Sequence, residues 1–168
     1  MTERFRQLLA GTTALTFVLI LLGVYTGAIG AGLTCGARWP LCDGWLGLFP
    51  ANWASFVEWF HRLVAMITGF AILGSTYLAW RRDHATRVKR ATAIATVVLP
   101  VQILLGANTI VNFGALAQVL HHAAALTILT ALVAATAWAY DAPGTAAETR
   151  SEATAGDPTT DADPTGSD

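Results

Sequence analysis

Charge is what this chain has least of. Only 12% of its 168 residues are Asp, Glu, Lys or Arg, while 54% are hydrophobic. Ordinary soluble domains are about a quarter charged, so the balance excludes that class and indicates a membrane protein. Lysine is scarcer still, with Lys89 alone against nine arginines. Cysteine occurs only at Cys35 and Cys42, and there is no H-E-x-x-H run, so neither structural nor catalytic zinc has its usual ligand spacing. A cleavable signal is not expected, because the first apolar run is long enough to span and no small-residue cleavage site closes a short one. Membrane lipid, and not nucleic acid, is the expected partner.

The few charges are unevenly placed. A net charge of -1 conceals a tail, residues 141–168, with seven acids against the single base Arg150. Beyond Ala142 the Pro/Gly/Thr/Ala/Asp composition predicts a disordered acidic cytoplasmic tail over 142–168, leaving a membrane domain over 1–141. Within that domain four apolar stretches reach spanning length: about Leu8 to Ile29, Ala54 to Trp80, Ala91 to Val111, and Ala117 to Tyr140. The expectation is an all-α, integral membrane four-helix bundle. The short Asn112-Phe113-Gly114 turn makes the last two helices antiparallel neighbours. Five bases fall between Arg81 and Arg90, and Arg4 and Arg6 lie near the start, whereas the opposite loops carry only Arg38. The positive-inside rule then puts both termini and the 81–90 loop in the cytoplasm of a multi-pass plasma-membrane protein. The loop from Gly30 to Trp53, with both cysteines, faces outward.

That orientation gives depth to the ionisable residues, which hydrocarbon tolerates poorly and which usually mark a site. Glu58 and His61 share one side of the second helix at i, i+3. Ala65, Thr68 and Gly69 beneath His61 leave a groove for a flat macrocycle, or for close helix packing. The bland reading is an interfacial cluster in which Glu58 pairs with Arg62. His121 and His122 open the fourth helix at the same depth. Adjacent helical residues point about 100° apart, so one haem takes only one of them. The smaller surroundings of His121, with Ala117, Ala124 and Ala125, favour it over His122. Two facing imidazoles can ligate haem iron; the alternative is polar contact between helices.

Cys35 and Cys42 suit a disulfide in an oxidising exterior, either as a staple or as a redox-active pair. Gln102 and Asn108 inside the third span read as cross-helix amides, and Gly23 and Gly27 as a packing face. Pro100 is a candidate kink. Trp39, Trp45, Trp53 and Trp59 form an aromatic belt, and His84 in the basic loop reads as solvated.

Glu58-Trp-Phe-His61-Arg62, Cys35…Trp39-Pro40-Leu41-Cys42, Gln102…Leu105-Gly106 and the fourth-span histidine, in this order and topology, resemble the haem A synthase family over roughly residues 10–140. The resemblance implies oxidation of the C8 methyl of haem O, the substrate, to the formyl group of haem A, with haem b as cofactor. It implies His61 and one of His121 and His122 as axial iron ligands, Glu58 as an essential acid, and Cys35–Cys42 as a disulfide serving structure or electron transfer. Family members usually have two four-helix halves, so this one half implies a homodimer or a partner half, with contact to haem O synthase or to cytochrome oxidase assembly. Two other classes compete: an electron-transfer cytochrome b subunit, and a membrane thiol oxidoreductase using the cysteine pair.

Overall fold

A computed structural model describes residues 2–36, 38, 41–45, 47, 50–112 and 114–141. Among these residues four α-helices make up an up-and-down bundle: α1 Glu3–Ala28, α2 Trp53–Arg81, α3 Thr86–Val111 and α4 Ala115–Tyr140. A short 3-10 turn at Ala31–Leu33 follows α1. All four helices are long and apolar enough to cross a membrane, so this is a multi-pass, all-α membrane protein. The 142–168 segment, expected as an acidic tail, lies outside the described residues, as do Trp39 and Phe113.

The helices overrun the apolar stretches where charge begins. α1 starts at Glu3, ahead of Leu8, and α3 at Thr86, ahead of Ala91. Hydropathy marks entry into hydrocarbon, whereas Glu, Arg and Lys propagate a helix through the interface as readily as Leu does. Asn52 caps α2, its side chain accepting from the Ser55 N–H at 3.0 Å. Pro100 lies inside α3 without ending it, as membrane helices tolerate.

α1 packs on α2 and α4, and α3 packs on the same two. α2 and α4 therefore stand on one diagonal of the bundle. Lipid offers no hydrophobic drive between helices, so small residues and cross-helix hydrogen bonds must hold them. Buried alanines supply close approach: Ala79, Ala91, Ala95, Ala131, Ala135 and Ala139. Thr13 and Thr136 hydroxyls meet at 2.9 Å, Thr76 and Thr96 at 2.8 Å, and Thr12 and Ser75 at 3.3 Å. Such contacts contribute about 0.6 kcal/mol each. Arg6, 6% exposed, donates from Nε to the Ala139 carbonyl at 3.0 Å, where a cation suits the C-terminal end of α4. Two buried apolar clusters, around Phe5, Leu9 and Val88 and around Ile72, Ile128 and Leu132, fill the basic end and the middle.

His84 corrects its expected solvated role. It is 8% exposed and stacks on Phe5, with ring centroids 4.0 Å apart and planes 13° from parallel. The short α2–α3 connection tucks the ring under α1, leaving its Nε2 buried without a partner. Burial pulls its pKa below the ordinary value. The folded chain therefore prefers neutral His84: this stability is complete above the unfolded value of about 6.5 and fades as pH falls through it. Thermal unfolding in detergent should show wild type losing more stability than His84→Phe between about pH 7.5 and about pH 5. Equal losses in the two proteins would contradict a buried neutral imidazole.

Candidate functional site

Toward the cysteine end the bundle interior turns from apolar to polar. His61 lies eight residues into α2 and His121 six residues into α4, roughly 12 and 9 Å along their axes at the usual rise. The two helices run in the same direction on one diagonal, so the imidazoles sit at matching depth.

Each ring rests on a glycine of the neighbouring helix. A Cβ added at Gly23 of α1 would stand 3.0 Å from His61 Cε1, and one at Gly106 of α3 would stand 3.1 Å from His121 Cε1. Both Nδ1 atoms are buried and have no hydrogen-bond partner. Stranding a buried polar atom costs about 1–3 kcal/mol. The fold thus leaves two buried ring nitrogens without a partner among the described residues.

The two seats are one arrangement used twice. α1 reads Ile20-Leu21-Leu22-Gly23-Val24-Tyr25-Thr26, and α3 reads Ile103-Leu104-Leu105-Gly106-Ala107-Asn108-Thr109. α2 carries Glu58-Trp59-Phe60-His61, and α4 carries Gln118-Val119-Leu120-His121. Each helical hairpin therefore supplies one Ile-Leu-Leu-Gly-x-x-Thr segment and one histidine. Sequence reasoning missed Gly23 as a histidine seat, and this repeat was the signal that could have found it. The expected Gly23/Gly27 packing face is corrected accordingly: a Cβ at Gly27 would meet nothing within 4 Å.

His121 and His122 take different roles. The His122 ring turns back along its own helix, with Nδ1 2.7 Å from the Gln118 carbonyl, and stands edge-on to His121 at 6.0 Å between centroids. In the repeat His122 occupies the place of Arg62. Gln102 of α3 reaches His121 instead, its Nε2 3.2 Å from His121 Nε2, while its own Oε1 is buried without a partner. That is the cross-helix amide expected. Asn108 differs: its Oδ1 accepts from Asn112 Nδ2 at 2.8 Å, within the last turn of α3, where four residues bring the two side chains together.

Glu58 is 6% exposed and accepts from Arg62 Nε at 2.8 Å. Arg62 Nη1 also donates to the carbonyls of Leu41 at 2.6 Å and Arg38 at 3.2 Å. One guanidinium so ties the carboxylate to the α1–α2 loop, and the ion pair is largely covered by protein. A Cys35–Cys42 disulfide closes that loop. Gly47, at φ +70°, folds it back so that Cys42 N–H donates to the Gly47 carbonyl at 3.0 Å. Asp43 accepts from Ser55 Oγ at 2.9 Å, fixing the loop to the mouth of α2.

No group of three or more His, Cys, Asp or Glu converges among the described residues, so a bare ion would be short of ligands. Two imidazoles on opposite helices fit an iron that already has four ligands from a macrocycle.

No protein-family model matches the chain. Over 141 residues it is 36% identical to the protohaem IX farnesyltransferase of Halobacterium salinarum, covering 83% of this chain and 30% of that protein. Over 135 residues it is 35% identical to the haem A synthase of Bacillus licheniformis, covering 78% of this chain and 43% of that protein. The haem A synthase of Alkalihalophilus pseudofirmus is 33% identical over 129 residues, 74% of this chain and 42% of that protein. Fold and site define a multi-pass helical membrane protein with two half-buried histidines at matching depth on opposite helices. By these matches the chain is similar to part of proteins named haem A synthase and to part of proteins named protohaem IX farnesyltransferase. It spans less than half the length of the curated relatives named here.

The glycine seats are testable by size alone. Gly23→Ala and Gly106→Ala should each destabilise the bundle by about 1–3 kcal/mol through overpacking. Gly27→Ala should be neutral or should stabilise by up to about 1 kcal/mol, because alanine is the better helix former and meets nothing there. Unfolding in mild detergent reads all three, and identical behaviour of Gly23→Ala and Gly27→Ala would sink the seat.

Proposed function

We propose that this four-helix unit holds haem between His61 and His121, and that it acts as a haem A synthase, oxidising the C8 methyl of haem O to a formyl group for cytochrome oxidase assembly. The observation that carries the proposal is the pair of buried, unpartnered imidazole nitrogens, each ring seated on a glycine at one depth. His122 stands outside the ligand set, since its ring is turned onto the Gln118 carbonyl. Iron in the bound haem supplies the redox chemistry. Making a formyl from a methyl replaces C–H bonds by a C=O bond: with water supplying the oxygen, four protons and four electrons leave, the electrons to an external acceptor, and Glu58 is the carboxylate able to receive protons or to stabilise positive charge at the reacting carbon. Arg62 orients Glu58 and, through Leu41 and Arg38, holds the disulfide loop over it. The Cys35–Cys42 bond is read first as the staple of that cover, with electron transfer as its second role.

One dihistidine site accommodates one haem. A resident haem b together with a substrate haem O therefore calls for two units, a homodimer or this chain with a partner half. The relatives support this reading, because the chain matches only 43% of the Bacillus licheniformis synthase. The same unit matches part of a protohaem IX farnesyltransferase, which supports contact with the enzyme that farnesylates protohaem. The bases between Arg81 and Arg90 support a cytoplasmic position for that end and for both termini of a cell-membrane protein, with the disulfide loop outside.

Half length also favours a second reading, a cytochrome b subunit that passes electrons and keeps its haem unchanged. Co-expression with a haem O source, followed by chromatography of the extracted haems, separates the two. Wild type should yield haem A or its hydroxylated precursor, and His61→Ala should yield at least about a hundredfold less. Haem O recovered unchanged from folded, haem-loaded wild type would overturn the synthase assignment, and haem b alone would favour electron transfer.

A further inference from the structure

The two histidine seats repeat in backbone, yet the groups around the rings do not. Four residues before Gly106 stands Gln102, whose carboxamide reaches His121 Nε2 at 3.2 Å. Four residues before Gly23 stands Leu19, which offers the His61 ring no hydrogen bond. His121 thus has a side-chain partner at one ring nitrogen, whereas the described hydrogen bonds give His61 none at Nδ1.

We propose that Gln102 is a positioning residue that makes the two haem ligands unequal, with His121 the anchoring ligand and His61 the one that yields when haem enters or leaves. This rests on the haem-binding reading above. A neutral imidazole can ligate only through a nitrogen that carries no proton. His121 has one nitrogen against Gln102 and the other, Nδ1, buried and left without a protein partner. For the open nitrogen to present a lone pair, the ring proton must sit on Nε2, and Gln102 must accept it through Oε1. Amide oxygen and nitrogen exchange places by a half-turn of the side chain, so either face can be offered to the ring. Turned oxygen-first, Gln102 selects the ligating tautomer, fixes the ring plane and raises the basicity of the nitrogen left open. That is the ordinary work of an acceptor behind a ligating histidine. His61 gets no such help from α1. Among the described residues no hydrogen bond fixes its ring, which rests on the Gly23 seat, so its bond to iron is the weaker one.

The test uses the full chain, purified with haem, and reads the ferric low-spin resonance signal, the midpoint potential and the rate of haem transfer to an apoglobin acceptor. Gln102→Leu removes the acceptor and should release haem about ten- to a hundredfold more readily, with a raised potential. Gln102→Glu keeps the size, strengthens the acceptor and should lower the potential; it also serves where Gln102→Leu fails to fold. Tyr77→Phe, at an exposed residue sixteen positions along α2 from His61, should leave all three readouts at wild-type values. Wild-type potential and retention in both Gln102 variants, in a protein whose wild type gives the dihistidine signal, would overturn the role of Gln102. A haem-loaded wild type without that signal would overturn the underlying dihistidine reading as well.

Discussion

A polar atom inside a bilayer has no water to fall back on, and the bundle is organised around that fact. Its hydroxyls pair across helices or bond back to their own, as Thr13 does with both Thr136 and the Leu9 carbonyl. Its buried charges are matched, Arg6 with a helix end and Glu58 with Arg62. Five buried side-chain atoms among the described residues are left without a partner, and four of them lie at the cysteine end: His61 Nδ1, Arg62 Nη2, Gln102 Oε1 and His121 Nδ1. The chain satisfies its polar groups nearly everywhere else among the described residues, and this one cluster of unpartnered atoms is the observation on which the proposed haem site rests.

The rest of the architecture serves that end of the bundle. Alanine-rich packing and threonine pairs close the basic end and the middle, so the polar end need not supply the cohesion. Glycine does the opposite work at Gly23 and Gly106, where the missing Cβ gives each imidazole a flat surface against a helix. Arg62 couples the site to its cover, since one guanidinium bonds both the buried carboxylate and the disulfide loop. The recurrence of one seat in two hairpins explains how a short chain builds a two-sided site.

Much of this was legible from sequence, for physical reasons that also mark its limits. Spanning length and the scarcity of charge announced four helices, because hydrocarbon imposes both. Matching depth of His61 with the His121-His122 pair followed from the direction of the chain alone. The choice between His121 and His122 did not, because it depends on how α4 is rotated against α3, and neighbouring alanines only hint at that. Glu58 with Arg62 was readable as an i, i+4 ion pair, but its burial was not, since the loop that covers it is positioned by carbonyls of Arg38 and Leu41. His84 looked solvated because its loop is basic; only the packed bundle shows Phe5 lying over it. Gly23 was read through a familiar packing motif, whereas the repeated Ile-Leu-Leu-Gly-x-x-Thr segment carried the better information.

The central claim is that His61 and His121 share one ligand across the α2–α4 diagonal while His122 stands aside. It is tested most directly by the low-spin ferric resonance of the haem-loaded protein in His121→Ala and His122→Ala. The account predicts that the dihistidine signal is lost in His121→Ala and intact in His122→Ala. The reverse pattern, or an intact signal in both, would contradict it.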